Sequence, residues 1–247
     1  MREICLSILF LSILSAASLF ADARHFTYLY EAPTAEAGEF ESETSITWSR
    51  TSNFAFREEI EMGVTDRFQL GIYPLNWAHR DDKIDNRGGT NFAYEGGAIE
   101  LIYNLTNPNS DPIGLSLYEE INAGRRHFES ESKLIAQKHF GPVILDYNAT
   151  LEAEWAEEGL REHTGELQQA LGASYEIFSK FSVGIELVHE LVFPEWRNDR
   201  TFNNLFVGPN VSFRRGSWYV TVTALAQATN TADEPDLQVR TIFGIEF

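Results

Sequence analysis

Apolar and polar side chains alternate along most of the chain, and the pattern is clearest between Leu145 and Trp155. In that stretch the odd-numbered positions are apolar or aromatic, whereas the even-numbered positions are polar or acidic. Successive side chains of a β-strand point to opposite faces, so a period of two predicts a strand with two different faces. The same pattern predicts twelve strands, most of them near the length of a tilted membrane strand: residues 39–49, 53–63, 68–77, 95–103, 113–123, 133–140, 144–155, 166–176, 181–191, 205–214, 218–226 and 237–247.

The predicted connections between these strands are alternately short and long. At one end residues 63–67, 140–143, 177–180 and 214–217 form short turns, and only residues 104–112 are longer. Short turns on one side and long loops on the other are typical of outer-membrane barrels, whereas a soluble sandwich gives no reason for the difference. At the other end the connection at 50–52 is short and the rest are longer and polar: residues 78–94, 124–132, 156–165, 192–204 and 227–236.

Acidic residues recur on one face of the predicted strands and apolar residues on the other. The first strand places Glu41 and Glu43 on one face and Ile46 and Trp48 on the opposite face. Burying unpaired charge in a dry core costs several kcal/mol, so the acidic face must meet water. Aromatic residues near both ends of the strands favour water inside a barrel, because such belts anchor barrels at membrane interfaces: Trp48, Phe54, Trp77, Trp155 and Phe193 at one end, and Phe40, Phe68, Tyr103, Tyr175, Phe181, Trp218 and Phe247 at the other.

The predicted fold class is therefore all-β, a single antiparallel up-and-down transmembrane barrel of about twelve strands over residues 39–247. The alternative is a secreted β-sandwich. Residues 1–23 have the pattern of a cleaved signal peptide, with an apolar run and an A-x-A site at Ala21-Asp22-Ala23. An uncleaved anchor is the other interpretation, but the run is short for a span of roughly 20 apolar residues. Residues 24–38 show no periodicity, and we expect this irregular segment inside or below the barrel.

The chain is strongly acidic, with a formal net charge of −18 over 247 residues. An acidic chain is unsuited to nucleic acid, because phosphates are bound through Lys and Arg, and equally unsuited to anionic lipid headgroups. The only cysteine, Cys5, lies in the predicted signal peptide, so a processed chain cannot form a disulfide. The length fits one domain.

Carboxylates greatly outnumber guanidinium groups on the predicted inner face. Rings of Asp and Glu favour cations, so one interpretation is a passage that prefers cations. The other is structural, because inward Glu and Arg side chains can cross-link and plug a barrel of intermediate width. The candidate lumen-lining residues are Glu41, Glu43, Arg57, Glu59, Glu61, Glu100, Glu120, Asp146, Glu152, Glu154, Glu176, Glu186 and Arg240, and the wider inward set adds Glu39, Arg214 and Glu246.

Two acidic residues do not fit strict alternation. Glu58 and Glu119 fall on the predicted lipid face, where an acidic group in mid-strand is costly. Each has an acidic neighbour, Glu59 or Glu120, and such a pair can mark a β-bulge that shifts the register by one residue. The sequence leaves open whether either bulge exists.

Three stretches resemble a known family. The hairpin at residues 63–73 (GVTDRFQLGIY) and the entry at residues 30–48 (YEAPTAEAGEFESETSITW) resemble uncharacterised outer-membrane barrels, among them the transporter-like group named for the meta-pathway of phenol degradation. The closing stretch, residues 237–247, ends on an aromatic residue as the last strand of such barrels does. The resemblance implies a surface barrel, solute uptake and an assembly signal formed by Phe247 with Ile245 and Phe243. It supplies no catalytic residues.

Recognisable catalytic and metal-binding patterns are absent from the sequence. There is no G-x-S-x-G, and no histidine stands in an H-x-S arrangement, so we expect no enzyme activity and no cofactor. An outer-membrane lipid hydrolase is the least favoured alternative. Asp81, Asp82, Asp85 and Asn86 offer oxygen ligands without EF-hand spacing, and we expect no dedicated metal site there.

These features together predict an exported outer-membrane protein that acts as a passive channel or small-solute transporter, with a preference for cations or neutral solutes. The expected partners are outer-membrane lipid, the barrel-assembly machinery and an unidentified small solute, and no nucleic acid. The competing hypothesis is a closed structural or surface-interaction barrel that presents its long loops.

Overall fold

The computed structural model describes four ranges of the chain: residues 24–50, 53–80, 91–232 and 234–247. Two sequence predictions lie outside these ranges: the signal peptide of residues 1–23, and the acidic loop of Asp81, Asp82, Asp85 and Asn86. The helical content of the described residues is one short 3-10 helix, Asn198–Arg200. No helix in these ranges has the length and apolar character needed to cross a membrane.

The described residues form thirteen strands, which are β1 Phe40–Ser49, β2 Phe54–Thr65, β3 Phe68–Arg80, β4 Asn91–Tyr94, β5 Gly97–Thr106, β6 Gly114–Ala123, β7 His127–Phe140, β8 Val143–Ala156, β9 Glu162–Phe178, β10 Phe181–Pro194, β11 Phe202–Arg215, β12 Trp218–Gln227 and β13 Leu237–Glu246. All pairings are antiparallel; they join neighbours in the chain except that β3 also pairs with β5, and β1 pairs with β13, which closes the sheet. The strands β4 and β5 both pair with β3, at its end and its start respectively, and so share one position. The result is the predicted twelve-position barrel, and the sandwich alternative is wrong.

The break between β4 and β5 lies beside Pro74 of β3. Proline has no N–H to donate to the ladder and is confined to edges and bulges. The register between β2 and β3 shifts at the same level, between Glu58 and Ile60. The extra residue is on β3, where Tyr73 and Pro74 stand opposite Glu59 alone, and the pairing of β2 with β1 is regular at Glu58. At Glu119 the pairing is regular on both sides. Neither acidic pair therefore marks a bulge in its own strand, which answers the question that the sequence left open.

Glu58 and Glu119 stay on the outward face, and neighbouring hydroxyl groups hold both carboxylates. Ser42 and Thr44 of β1 donate hydrogen bonds to Glu58. Ser130 and Ser132 of β7 donate in the same way to Glu119. A hydrogen-bonded carboxylate is far less costly on an apolar surface than a bare one, which explains how strict alternation is kept here.

The ladder extends beyond the predicted strand ends, most clearly in β7. The sequence predicts a loop through residue 132, because residues 129–132 are polar on both faces. In the structure β7 pairs residue by residue with β8 from His127 opposite Ala156. Backbone pairing needs no apolar face, so the strand continues past the apolar band. The predicted loop at 124–132 is wrong, and the connection is residues 124–126.

The barrel has two different ends. One end, here called the turn end, carries the two-residue turns after β2, β7, β9 and β11. Gly141 and Gly216 have φ of 59° and 63° there, the left-handed conformation that tight hairpin turns need. The other end, here called the loop end, carries the longer connections after β8, β10 and β12. The chain leaves the barrel at the turn end, where the Phe247 ring stacks on Phe40 with 6.1 Å between ring centroids.

The outward face is apolar and the inward face polar, which is the reverse of a soluble protein. In β6, Leu117 and Ile121 are 48% and 46% exposed, whereas Ser116 and Glu120 are 0% and 2% exposed. The same inversion recurs around the sheet, with many large apolar side chains exposed and many acidic and amide side chains buried. An apolar outward face of this kind suits contact with lipid hydrocarbon.

Residues 24–38, here called the lumen segment, have no regular secondary structure; residues 24–35 lie inside the barrel, and residues 36–38 are exposed at the turn end. Phe26 and Leu29 are fully buried in an apolar cluster with residues of β8, β9, β10, β11 and β12. Ala32 packs in a second cluster against Ile102, Tyr118 and Ile135. Gly172 lacks a side chain where the Phe26 ring lies, since a Cβ there would come within 2.6 Å of the ring. The segment therefore fills the middle of the lumen.

Candidate functional site

A line of carboxylates crosses the inner wall from strand to strand at directly opposed positions. Glu41 is opposite Glu246 of β13 on one side and opposite Glu61 of β2 on the other. Gly71 of β3 stands between Glu61 and Glu100. From Glu100 the series of opposed carboxylates continues across the wall through Glu120, Glu131, Glu152 and Glu166, which lie on β6, β7, β8 and β9. We call these residues the carboxylate line: Glu246, Glu41, Glu61, Glu100, Glu120, Glu131, Glu152 and Glu166.

The carboxylate line rises from one end of the barrel to the other. Glu41 is the second residue of β1, close to the turn end, and Glu166 is the fifth residue of the seventeen-residue β9, toward the loop end. Strands in a barrel tilt, so a path of direct partners runs obliquely around the wall. Like charges at opposed positions destabilise a sheet, so six directly opposed pairs of carboxylates, interrupted only at Gly71, are a feature that stability alone does not favour.

Cationic side chains compensate only part of this charge. Arg24 of the lumen segment pairs with Glu43 at 2.8 Å, and Arg57 pairs with Glu120. Nearer the loop end, Lys133 pairs with Glu131, and His127 lies 3.2 Å from both Glu129 and Glu154. At the turn end Arg214 pairs with Glu176 at 3.2 Å. The acidic residues still outnumber their partners, so the interior carries a net negative charge.

Wall side chains bind the backbone of the lumen segment at successive positions. Glu186 accepts hydrogen bonds from the amides of Thr27 and Tyr28, at 3.0 and 2.8 Å. Asn148 both accepts from the Tyr30 amide at 2.7 Å and donates to the Tyr30 carbonyl at 2.9 Å. Further donors along the wall satisfy carbonyl groups of the segment: Asn104 and Ser116 to Ala32, Asn210 to His25, and Ser212 and Thr221 to Arg24.

Tyrosine rings surround the middle of the carboxylate line. Tyr30 of the segment lies 4.6 Å from the Tyr118 ring, and its hydroxyl is 3.0 Å from that of Tyr73. Arg57 stands over the Tyr73 ring at 4.0 Å, and Lys133 stands over Tyr118 at 4.2 Å. These cation–π contacts hold the two cations against the wall and beside the segment.

A cavity of about 1260 Å³ lies between the lumen segment and the turn end. Its wall includes Glu41, Glu61, Gln69 and Glu246, together with Arg24 of the segment. The members of the carboxylate line near the turn end, Glu246, Glu41 and Glu61, therefore line this cavity. Above it, Glu59, Glu100 and Glu186 are at most 1% exposed, so the lumen is filled at the level of the segment.

The predicted lumen-lining residues face inward, but their surroundings differ along the barrel. Buried residues around the segment are Glu43, Glu59, Glu61, Glu100, Glu120, Asp146 and Glu186. Half-buried residues are Arg57 and Arg240 beside the segment, and Glu41, Glu152, Glu154 and Glu176 nearer the two ends. Of these, Glu186 binds the segment backbone, a role that alternation gives no means to predict. No observation of the described residues tests conduction by any of them.

Sequence reasoning missed several inward residues. Glu129, Glu131 and Lys133 continue the period of two on β7, but polar neighbours on the other face hide the alternation. Glu166 and Glu190 are absent from the candidate lumen-lining set although they lie on the wall near the loop end. The amides of Asn104 and Asn148, which bind the segment, carry no signal that distinguishes them from any inward polar residue.

Two solved structures share this architecture. An outer membrane channel of the COG4313 type from Pseudomonas putida F1 superposes with a TM-score of 0.66 at 11% identity, covering 90% of this chain and 100% of that one. The NanC porin superposes with a TM-score of 0.55 at 7% identity, covering 83% of this chain and 98% of that one. At such low identity the likeness shows a shared outer-membrane barrel fold.

The sequence comparisons are less informative about activity. A family model, described as a family of unknown function (DUF6662), matches residues 18–238. No curated protein matches the sequence. The expectation that this chain is not an enzyme stays a prediction, and the two superposed structures are described as a channel and a porin.

Proposed function

This chain belongs to the DUF6662 family of unknown function, and from the geometry of its lumen we propose that it is a passive outer-membrane channel for small cations or neutral solutes. In the conformation described here, the lumen segment closes the channel. The observation that carries the proposal is the carboxylate line, which joins the turn-end cavity to the loop end.

A continuous acidic path favours cations for an electrostatic reason. Carboxylates in a low-dielectric wall attract positive ions and repel negative ones over several ångströms, and the attraction weakens where salt screens it. Closely spaced carboxylates also allow an ion to pass from one site to the next, which conduction requires. The partial compensation by Arg57 and Lys133 leaves the path acidic.

Closure by the lumen segment is supported by how the segment is held. Its backbone contacts the wall through side chains such as Glu186, Asn148 and Gln69, and residues 24–35 form no strand of the sheet. Because the segment contributes no strand, its departure leaves the backbone pairing of the barrel intact, at the cost of its own hydrogen bonds with the wall. We infer that opening is departure or displacement of residues 24–35.

The proposed location follows from the outward surface. An apolar band on a closed barrel fits outer-membrane lipid, with the turn end toward the periplasm and the loop end outside. Export through a cleaved signal peptide, insertion by the barrel-assembly machinery and kinship to the transporter-like group named for the meta-pathway of phenol degradation belong to the same proposal. The two superposed outer-membrane structures support it at the level of fold.

Recording in planar bilayers tests the proposal through the segment. A variant that lacks residues 24–35 should show large, frequent conductance steps, whereas the full-length chain should show rare or small ones, because the segment fills the lumen. Heat-dependent mobility on a gel establishes that both proteins are folded barrels. Silence of the folded, truncated variant over a range of voltages would refute a channel.

The second candidate function is a closed barrel that acts through its loops. The filled lumen at Glu59, Glu100 and Glu186 favours it, because a conducting pore has no need of such close packing. The two candidates differ in the truncated variant. A closed barrel stays silent or loses its fold when its core segment is removed, whereas a channel conducts.

A further inference from the structure

Three carboxylates meet on the wall behind the lumen segment. One carboxylate oxygen from each of Glu59, Glu61 and Glu100 lies within 4.8 Å of the other two. The three side chains are 1%, 8% and 0% exposed. Glu59 and Glu61 are two residues apart on β2 and share its inward face, while Glu100 reaches the cluster from β5.

The cluster forms because the strand between β2 and β5 has no side chain at this level. Gly71 of β3 is opposite both Glu61 and Glu100. A Cβ on Gly71 would clash with the Oε1 atom of Glu59 and would lie 3.0 Å from the Glu100 Cβ. The Glu59 carboxylate therefore occupies the space above a glycine, and the register brings the other two carboxylates to its edges.

Neither oxygen of Glu59 accepts a hydrogen bond within 3.5 Å among the described residues, and the Tyr73 hydroxyl near it donates to Glu100 instead. The Oε1 atom of Glu100 is likewise unpartnered, although its Oε2 accepts a hydrogen bond from Tyr73 at 2.9 Å. Gln69 donates to Glu61. A buried carboxylate with no donor is costly, and two further buried carboxylates beside it raise that cost.

The cations nearby are engaged elsewhere. Arg24 pairs with Glu43, and Arg57 pairs with Glu120. No ion pair of the described residues includes Glu59, Glu61 or Glu100. The unpartnered oxygens of Glu59 and Glu100 therefore lie in one cluster that has no ion-pair partner among the described residues.

We propose that Glu59, Glu61 and Glu100 form a calcium site in the wall of the barrel. Calcium is a hard cation that takes carboxylate oxygens at about 2.3–2.6 Å in flexible geometry, so two ligand atoms on one ion stand at most about 5 Å apart. Magnesium needs ligands at about 2.0–2.1 Å in near-ideal octahedral geometry and fits this cluster less well. A bound ion satisfies the free oxygens of Glu59 and Glu100 and offsets the charge of the cluster.

The site lies behind the segment, next to Tyr73, whose hydroxyl also contacts Tyr30 of the segment. Calcium there stabilises the surrounding wall whether or not the barrel conducts. The site shares Glu61 and Glu100 with the carboxylate line of the proposed channel, but binding is measured in detergent without a bilayer. Failure of calcium binding leaves the conductance test untouched, and the converse also holds.

Isothermal titration of the full chain, stripped with EDTA and purified in detergent, tests the site directly. Calcium should bind with one ion per chain and a dissociation constant of roughly 10⁻⁴–10⁻³ M or tighter, the range of extracellular sites. Magnesium should bind more weakly. Glu59→Gln should weaken calcium binding by about tenfold or more, because it removes one of three charged ligands.

Two further variants control the experiment. Glu58→Gln changes the adjacent carboxylate on the outward face of the same strand and should leave calcium binding unchanged. Gly71→Ala keeps all three carboxylates but places a methyl group where the Glu59 carboxylate lies, and should weaken binding. Absence of calcium binding by the wild-type chain, or equal binding by the Glu59→Gln and wild-type chains, would overturn the site. A loss of affinity in Glu58→Gln as large as that in Glu59→Gln would overturn it as well.

Discussion

At the scale of single residues, carboxylates in this barrel differ in the groups that donate to them. Glu58 and Glu119 face outward and each accept two hydroxyl hydrogen bonds from an adjacent strand. Glu186 faces inward and accepts from two backbone amides of the segment, from Asn210 and from Thr223. Glu59 accepts no hydrogen bond within 3.5 Å among the described residues, and this contrast with the other carboxylates is the reason for proposing a calcium ion there.

Glu186→Gln should loosen the lumen segment. The substitution replaces an accepting oxygen by an NH₂ group that faces other donors, and an unsatisfied buried group costs about 1–3 kcal/mol. Hydrogen exchange at the Thr27 and Tyr28 amides should become roughly 5–150-fold faster, since each 1.4 kcal/mol is a factor of ten. Glu176→Gln, which changes a carboxylate paired with Arg214 at the turn end, is the matched control. Equal exchange rates in both variants would show that Glu186 does not hold the segment.

At the scale of elements, the period of two predicts the number, the faces and the neighbours of the strands. It fails at residues 129–132 of β7, where both faces are polar although the backbone still pairs with β8. It also says little about the lumen segment, because Thr27 and Glu186 are 159 residues apart in the chain and no local pattern joins them. The carboxylate line needs the exact register of successive strands, which alternation does not supply.

The closing strand β13 has the predicted faces, with Phe243 and Ile245 outward and Ile242 buried. Phe247 is 65% exposed and its amide donates to the Phe40 carbonyl at 2.9 Å. Complete burial of such a side chain is worth about 1.5–3 kcal/mol, so packing at this exposure contributes less. A large effect of Phe247 on insertion must therefore come from recognition during assembly.

Phe247→Ala should sharply lower the yield of protein inserted in the membrane and change the stability of the purified barrel little. Phe40→Ala removes the same ring contact without changing the C-terminus and should leave insertion near the wild-type level. Quantitative blotting of membrane fractions, with thermal unfolding of the purified proteins, separates the two effects. Equal insertion yields for the two variants would reduce Phe247 to a packing residue.

At the scale of the whole molecule, the barrel combines an acidic wall with an internal segment that fills its middle. The carboxylates near the turn end line the cavity of about 1260 Å³, whereas Glu152 and Glu154 lie toward the loop end. Removing the segment should therefore expose one acidic passage along the barrel. That passage should prefer positive ions, a selectivity that fold alone does not decide.

The reversal potential of the barrel that lacks residues 24–35, measured across a KCl gradient, tests this claim most directly. Carboxylates along the passage should give a reversal potential on the cation-selective side, and Glu152→Gln with Glu154→Gln should move it toward zero. Glu119→Gln, on the outward face, should leave it unchanged. High salt should reduce the selectivity by screening. A reversal potential on the anion-selective side, or one that the lumen substitutions do not move, would contradict the account.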